Sequence, residues 1–253
     1  MIKKIIHRLL CNPATGGLIK ACFGTKIPDL RWRGYAFDVS NTGMHNTIVA
    51  SIFWGFYESS EIRFVQKHFK GDVDAIELGA SSGVVSSHII SKLNASDRRY
   101  IGVEANKNLA EAWHKNVQRH NPKNIKVQLL NYAVYYDADT VTFGISNNTT
   151  ASRLSDSHNA DTQSVTLNAI TLKHLLSQEG IADYALFCDI EGAEAQILVN
   201  ETTAFDKCKY LFIELHQTTY RSVEYTSDAL AAIIQQKGFT LIDQHGPVYY
   251  FSR

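Results

Sequence analysis

At 253 residues, with 25 basic and 25 acidic side chains, the chain has room for one large core plus an extra segment and carries no formal net charge. That balance argues against the broad basic footprint with which proteins hold nucleic acid, and no apolar run approaches the ~18 uninterrupted residues of a transmembrane helix. The four cysteines, Cys11, Cys22, Cys188 and Cys208, form neither a CxxC pair nor a His-interleaved zinc pattern, so reduced thiols in a cytoplasmic protein are expected.

The chain opens on a basic and apolar stretch, residues 2–10, interrupted by His7 and Arg8. It predicts a terminal helix packed on the domain, with an amphipathic helix on a membrane surface as the alternative. No small-residue cleavage site follows, which argues against a signal peptide. Residues 30–39 alternate as a small hairpin would. Residues 46–54 and 59–69 read as helices, the second with Ser59 or Ser60 as its cap. We expect residues 1–70 to form a helical and hairpin segment covering the mouth of the domain that follows at 71–253.

From Asp72 the rhythm changes to short apolar runs alternating with helical patterns. Strands are expected at 73–78, 99–104 and 125–130, with helices to Leu93 and from Asn106 to His120. These are successive βαβ units, hence a parallel sheet in an α/β fold with right-handed crossovers. Residues 141–145 and 163–170 break that rhythm and read as antiparallel strands around a polar loop at 146–161. A helix at 171–179 stops at Gly180. A strand at 184–189, a helix at 191–199 and a strand at 210–215 follow. A helix at 227–237 and a hairpin, 239–243 with 248–252, close the chain.

Two segments carry the chemistry. Glu77-Leu78-Gly79-Ala80-Ser81-Ser82-Gly83 reads as a strand, a glycine turn and a helix start, where backbone can approach a nucleotide-bearing cofactor. Glu104 ends the next strand 21 residues after Gly83, the place of a ribose-binding carboxylate. Ser81 stands where a dinucleotide loop has its middle glycine, which favours S-adenosylmethionine over NAD. The second segment, Asp189-Ile190-Glu191-Gly192-Ala193-Glu194, sets three carboxylates at a strand end and in the turn after it, with Glu191 and Glu194 on one helix face.

These runs, with Val103-Glu104-Ala105-Asn106 and Phe212-Ile213-Glu214-Leu215-His216, resemble the FkbM family of S-adenosylmethionine-dependent methyltransferases over roughly residues 55–250. Members usually show Asp-x-Gly-Ala-Asn-x-Gly, where this chain has Glu77 for the Asp and Ser81 for the Asn. The resemblance implies a Rossmann-like class I methyltransferase fold: a seven-stranded, mostly parallel sheet with an antiparallel last strand and helices on both faces. It also implies methylation of a hydroxyl oxygen on a sugar, polysaccharide or small hydroxylated metabolite.

The expected cofactor set is Glu77, Gly79, Ala80, Ser81, Gly83, Glu104, Ala105 and Asn131. Methyl transfer from a sulfonium needs in-line positioning and removal of the acceptor's proton. Asp189, Glu191, Glu194, Glu214 and His216 are the candidates for that work, Asp189, Glu191, Glu214 and His216 foremost. The carboxylates could also hold Mg²⁺, and His45, Tyr57 and Glu58 could line the acceptor pocket. Other readings are an NAD-dependent oxidoreductase and a non-catalytic scaffold of the same fold. Methylation of nucleic-acid amines fits less well, because the fourth strand is not followed by Asn/Asp-Pro-Pro-Tyr/Phe. A homo-oligomer is left open.

Overall fold

The computed structural model describes residues 7–40, 42–94, 97–146, 153–154 and 162–253. The expected helix at 2–10 lies outside these residues up to position 6; residues 7–10 are helical. Helix α1 (Pro13–Phe23) starts at Asn12, whose side chain accepts the Thr15 N–H. Strands β1 (Lys26–Pro28) and β2 (Ala36–Asp38) pair antiparallel, Ile27 opposite Phe37. The hairpin is therefore present, but residues 30–35 are its connection rather than its strands. Helices α2 (Asn46–Phe53) and α3 (Ser59–His68) follow. Neither Ser59 nor Ser60 caps α3; Glu58 holds the N-cap position in left-handed conformation with no side-chain cap.

The alternating region contributes β3 (Asp74–Leu78), α4 (Val84–Lys92), β4 (Arg99–Val103), α5 (Ala110–Arg119) and β5 (Lys126–Leu130), with a 3-10 turn at 107–109 leading into α5. A side sheet is built from β6 (Ala133–Val134), β7 (Thr140–Ser146), β8 (Arg153–Leu154) and β9 (Thr162–Ile170), β7 and β9 running antiparallel with Val141 opposite Leu167. Of the loop expected at 146–161, residues 153–154 pair with β7 and the remainder past Ser146 lies outside the described residues. Helix α6 (Leu172–Glu179) is capped by Thr171 and stopped by Gly180.

Strand β10 (Tyr184–Cys188), helix α7 (Glu194–Asn200) and strand β11 (Cys208–Glu214) lead to a short hairpin, β12 (Thr218–Tyr220) with β13 (Val223–Tyr225). Helix α8 (Ser227–Gln236) and the strands β14 (Thr240–His245) and β15 (Val248–Ser252) complete the chain. The main sheet has the order β14-β15-β11-β10-β3-β4-β5. β11, β10, β3, β4 and β5 are mutually parallel, and β15 runs antiparallel to both neighbours. This is the expected Rossmann-like α/β architecture, a seven-stranded, mostly parallel sheet whose last strand in the chain is antiparallel.

Both faces of the sheet are covered, which is why its central strands read as near-continuous apolar runs. All five residues of β10 are buried. Leu186 faces the core built with α6, α7 and α8, whereas Ala185 and Phe187 face the one built with α3, α4 and α5. A third cluster joins α1, α2, β1 and β2 to Val84 at the start of α4. No helix among the described residues is long and apolar enough to cross a membrane.

Candidate active site

The strand order reverses between β3 and β10, so a crevice opens at their carboxyl ends. A cavity of about 340 Å³ lies there, lined by the glycine turn, by Glu104 to Asn106, by Asp189 to Glu191, by Glu214, and by Tyr57, Glu58 and Glu61 from the leading segment. Thus the two motifs, far apart in sequence, share one chamber.

They are also locked to each other. Asp189 donates its N–H to the Leu78 carbonyl at 3.0 Å. Gly79 (φ +89°) has no room for a side chain, because a Cβ there would overlap the Asp189 carbonyl oxygen. Gly79 and Ala80 both donate to the Val103 carbonyl. Ser81, left-handed at φ +46°, gives its N–H to Glu104 Oε2 at 2.8 Å, while Glu104 Oε1 accepts from Asn106 N at 2.7 Å. Burial raises the Glu104 carboxyl, and the backbone donors of Asn106 and Ser81 oppose that rise. Glu104 can therefore hold the loop and still face the chamber.

The other cofactor candidates separate. Ala80, Ser81 and Ala105 line the cavity. Glu77 reaches it too, but its Oε2 already accepts from the hydroxyls of Tyr100 and Ser86, and burial pushes the carboxyl up to about 8. Gly83 serves packing: a Cβ there would stand 3.0 Å from Trp113, on α5. Asn131 lies outside the lining and donates to the carbonyls of Glu104 and Ala105 at 2.8 and 2.9 Å, fixing the turn from behind.

On the opposite wall, carboxylates converge. Ligand oxygens of Glu58, Glu61 and Glu214 lie within 4.8 Å of one another, as do ligand atoms of Asp189, Glu214 and His216. Desolvation, then repulsion from Asp189 and Glu214, pushes Glu58 up to about 8. Desolvation, then repulsion from Glu58, pushes Glu61 up to about 9. Asp189 is raised by burial and by Glu214 and Glu191, and its Oδ1 is buried without a hydrogen-bond partner.

His216 is held differently from a free base. Its Nδ1 lies 3.2 Å from Glu194 Oε1 and its Nε2 3.3 Å from Glu214 Oε1. These two carboxylates, Glu194 foremost, raise it to about 11, so at neutral pH it is an imidazolium bridging two acids. Glu214 in turn is lowered: burial is the largest single influence and opposes that, but the hydrogen bonds of His216 and Glu61 and the His216 charge together outweigh it.

The expectation that Glu191 and Glu194 share a helix face is corrected. Helix α7 begins at Glu194, and Glu191 sits in the turn before it at φ +53°. Glu194 is fully buried, its Oε1 accepting from Ile190 N and Gly192 N, so it ties the turn together instead of decorating a helix end. Glu58, Ser81 and Glu191 are all non-glycine residues in left-handed conformation, and all three line the cavity. Each such residue costs on the order of 1 kcal/mol, and that kind of strain concentrates where sites are built.

Some contributors escaped the sequence reading. Glu61 is one: it sits in the first turn of α3, where an acid is favourable on any helix, so nothing in the sequence marks it out. Asn116, buried on α5, accepts from Asp38 N at 2.6 Å and donates to the carbonyls of Asp38 and Ser82, so it ties β2 to the glycine turn. His45, expected at the acceptor pocket, instead caps α2 through Thr47 and is not among the lining residues.

No curated protein matches the chain in sequence. Among solved structures it is similar to Streptococcus pneumoniae Sp1610 in complex with S-adenosyl-L-methionine (14% identity, 77% of this chain and 71% of that one, TM-score 0.41). It is also similar to Aeropyrum pernix fibrillarin with natively bound S-adenosyl-L-methionine (12%, 76% and 73%, 0.41). A third is magnesium protoporphyrin IX methyltransferase from Synechocystis PCC 6803 with bound SAM (6%, 78% and 77%, 0.40). The model of the methyltransferase FkbM domain matches residues 77–241, well over half the chain and both motifs of the cavity. The chain therefore belongs to the FkbM family, and it is an S-adenosylmethionine-dependent methyltransferase.

Proposed function

We propose that this enzyme transfers the methyl group of S-adenosylmethionine to a hydroxyl oxygen of a sugar, a polysaccharide or a small hydroxylated metabolite. One observation carries the reading: a single cavity joins the Ser81–Glu104 turn to the acidic wall at the ends of β10 and β11. In this reading Ala80 and Ser81 receive the methionine end of the cofactor, Glu104 the ribose hydroxyls, and the apolar side chains Leu109 and Val134 the adenine.

The acceptor then lies against Glu58, Glu61, Glu191 and Glu214, whose oxygens can accept from several hydroxyl protons at once. Asp189 is the base. Its raised carboxyl and unpartnered Oδ1 suit removal of one proton as the oxygen attacks the methyl carbon and S-adenosylhomocysteine leaves. His216 works as a fixed cation that holds the Glu214 carboxylate low and pins the Glu194 side chain in place. We assign the leading segment expected at 1–70, described from residue 7 onward, to the cap of the acceptor side, which it lines through Tyr57, Glu58 and Glu61, and 71–253 to the catalytic domain. The neutral chain and reduced thiols favour a cytoplasmic enzyme for glycans or small molecules over one for nucleic acid.

The test is turnover of methyl-labelled S-adenosylmethionine over a panel of glycans and hydroxylated metabolites. Label in an ether-linked methyl supports the reading; label only in amines or RNA contradicts it. Mg²⁺ is a second reading for the acidic wall, favoured by the oxygen trio of Glu58, Glu61 and Glu214, since hard cations take carboxylate oxygens. Chelation by EDTA that leaves turnover and melting temperature unchanged rejects it.

A further inference from the structure

We propose that the outer face of α1 and the connection that follows it dock on an anionic phospholipid surface, which goes beyond the methyl-transfer reading. The chain as a whole is neutral, but its charge is unevenly spread. Residues 7–36 hold five basic side chains, Arg8, Lys20, Lys26, Arg31 and Arg33, against one acid, Asp29. Asp29 is buried and accepts the N–H groups of Arg31 and Trp32 at 2.8 and 2.9 Å, so it is committed to the turn. Among the described residues none of the five cations enters an ion pair.

Apolar exposure gathers in the same stretch. Of the eight large apolar side chains exposed among the described residues, four are Leu9 (68%), Leu18 (67%), Phe23 (46%) and Leu30 (48%). Helix α1 is apolar on both sides. Gly16 and Ile19 are buried, and Gly16 lies so close to Asn46 at the start of α2 that a Cβ would overlap its carbonyl oxygen. The opposite stripe, Ala14, Leu18, Ala21 and Cys22, recurs at i, i+4, i+7 and i+8, is exposed, and carries no charge. At the end of the helix the Phe23 ring meets that of Phe53 (centroids 5.5 Å apart), and Leu30 N donates to the Phe53 carbonyl. Phe23 and Leu30 therefore belong to one patch beside Lys26 and Arg31.

A helix with an apolar outer stripe and flanking cations suits the boundary between headgroups and acyl chains, with the cations drawn to anionic headgroups. A second copy of the chain would bring the same positive charge against itself. A nucleic acid would satisfy the cations but press the apolar stripe against phosphates.

The experiment is co-sedimentation of the whole protein with vesicles of phosphatidylcholine mixed with phosphatidylglycerol, beside vesicles of phosphatidylcholine alone. Binding to the mixed vesicles, weakened by added salt and about fivefold by each of Lys20→Gln and Lys26→Gln, is expected. Leu18→Asp weakens it as well. All three variants keep the parent's melting temperature and its calorimetric affinity for S-adenosylmethionine, which separates lost docking from lost folding. No pelleting with either vesicle, equal pelleting with both, indifference to all three substitutions, or tighter binding to an RNA homopolymer than to vesicles each overturns the proposal.

Discussion

Ser81 and Glu104, 23 positions apart in sequence, are joined by a 2.8 Å hydrogen bond from the Ser81 backbone N–H to Glu104 Oε2. The left-handed Ser81 is thereby held in place by the same carboxylate proposed to receive the ribose. Glu104→Gln keeps the shape and removes the charge. Charge-assisted hydrogen bonds are worth about 1.5–3 kcal/mol, so affinity for S-adenosylmethionine should fall about 10- to 100-fold. Calorimetric titration checks it, and an unchanged affinity removes Glu104 from the site.

Gly79 is confined by Asp189. Gly79→Ala adds left-handed strain and an overlap with the Asp189 carbonyl, together about 2–5 kcal/mol. Thermal melting should drop by at least ~4 °C, with cofactor binding lost. Gly180→Ala is the control: φ is +60° but nothing lies within 4 Å of the added Cβ, so only the strain of about 1–2 kcal/mol applies and cofactor binding stays.

The acidic wall makes a pH prediction. Glu58 and Glu61 are raised to about 8 and about 9 from the ordinary 4.5. The folded protein holds protons that the unfolded chain releases, so this stability is fully present below about pH 4.5 and lost as pH rises through 8 to 9. Glu77, raised to about 8, and His216, raised to about 11, act in the same sense. Asp243, lowered by Lys67 and then His68, acts oppositely but only in acid. Melting of the cofactor-free protein should therefore fall from about pH 5 to about pH 9. Glu61→Gln should flatten that fall; a variant with the parent's slope contradicts the assignment.

Asp189→Asn should keep affinity for S-adenosylmethionine and lose about 10²- to 10⁴-fold in kcat, the usual contribution of a general base. His216→Gln should behave differently. It removes the cation between Glu194 and Glu214, so melting drops while the pH at which turnover rises is governed still by Asp189. Turnover profiles of the two variants against pH distinguish a base from a counter-charge.

The sheet was legible because its strands are buried on both faces, and an unbroken run such as Tyr184–Cys188 has few other homes. The glycine turn and Glu104 were legible from spacing along β3 and β4. The β12–β13 hairpin was not, because its turn residues, Arg221 and Ser222, are both left-handed without the Asn or Gly that signals such a turn. The start of α7 was misplaced for the same reason, Glu191 being left-handed and outside the helix. His216 resembled a base in sequence, since nothing there shows that both ring nitrogens meet carboxylates. Glu61 became visible only when α3 was laid over the ends of β10 and β11.

Calorimetric titration of the purified protein with S-adenosylmethionine, S-adenosylhomocysteine and NAD tests the central claim most directly. Micromolar binding of the first two, none of NAD, and loss of both in Gly79→Ala is the predicted result. Binding of NAD alone, or affinity for S-adenosylmethionine that survives both Gly79→Ala and Glu104→Gln, would contradict the placement of the cofactor in this cavity.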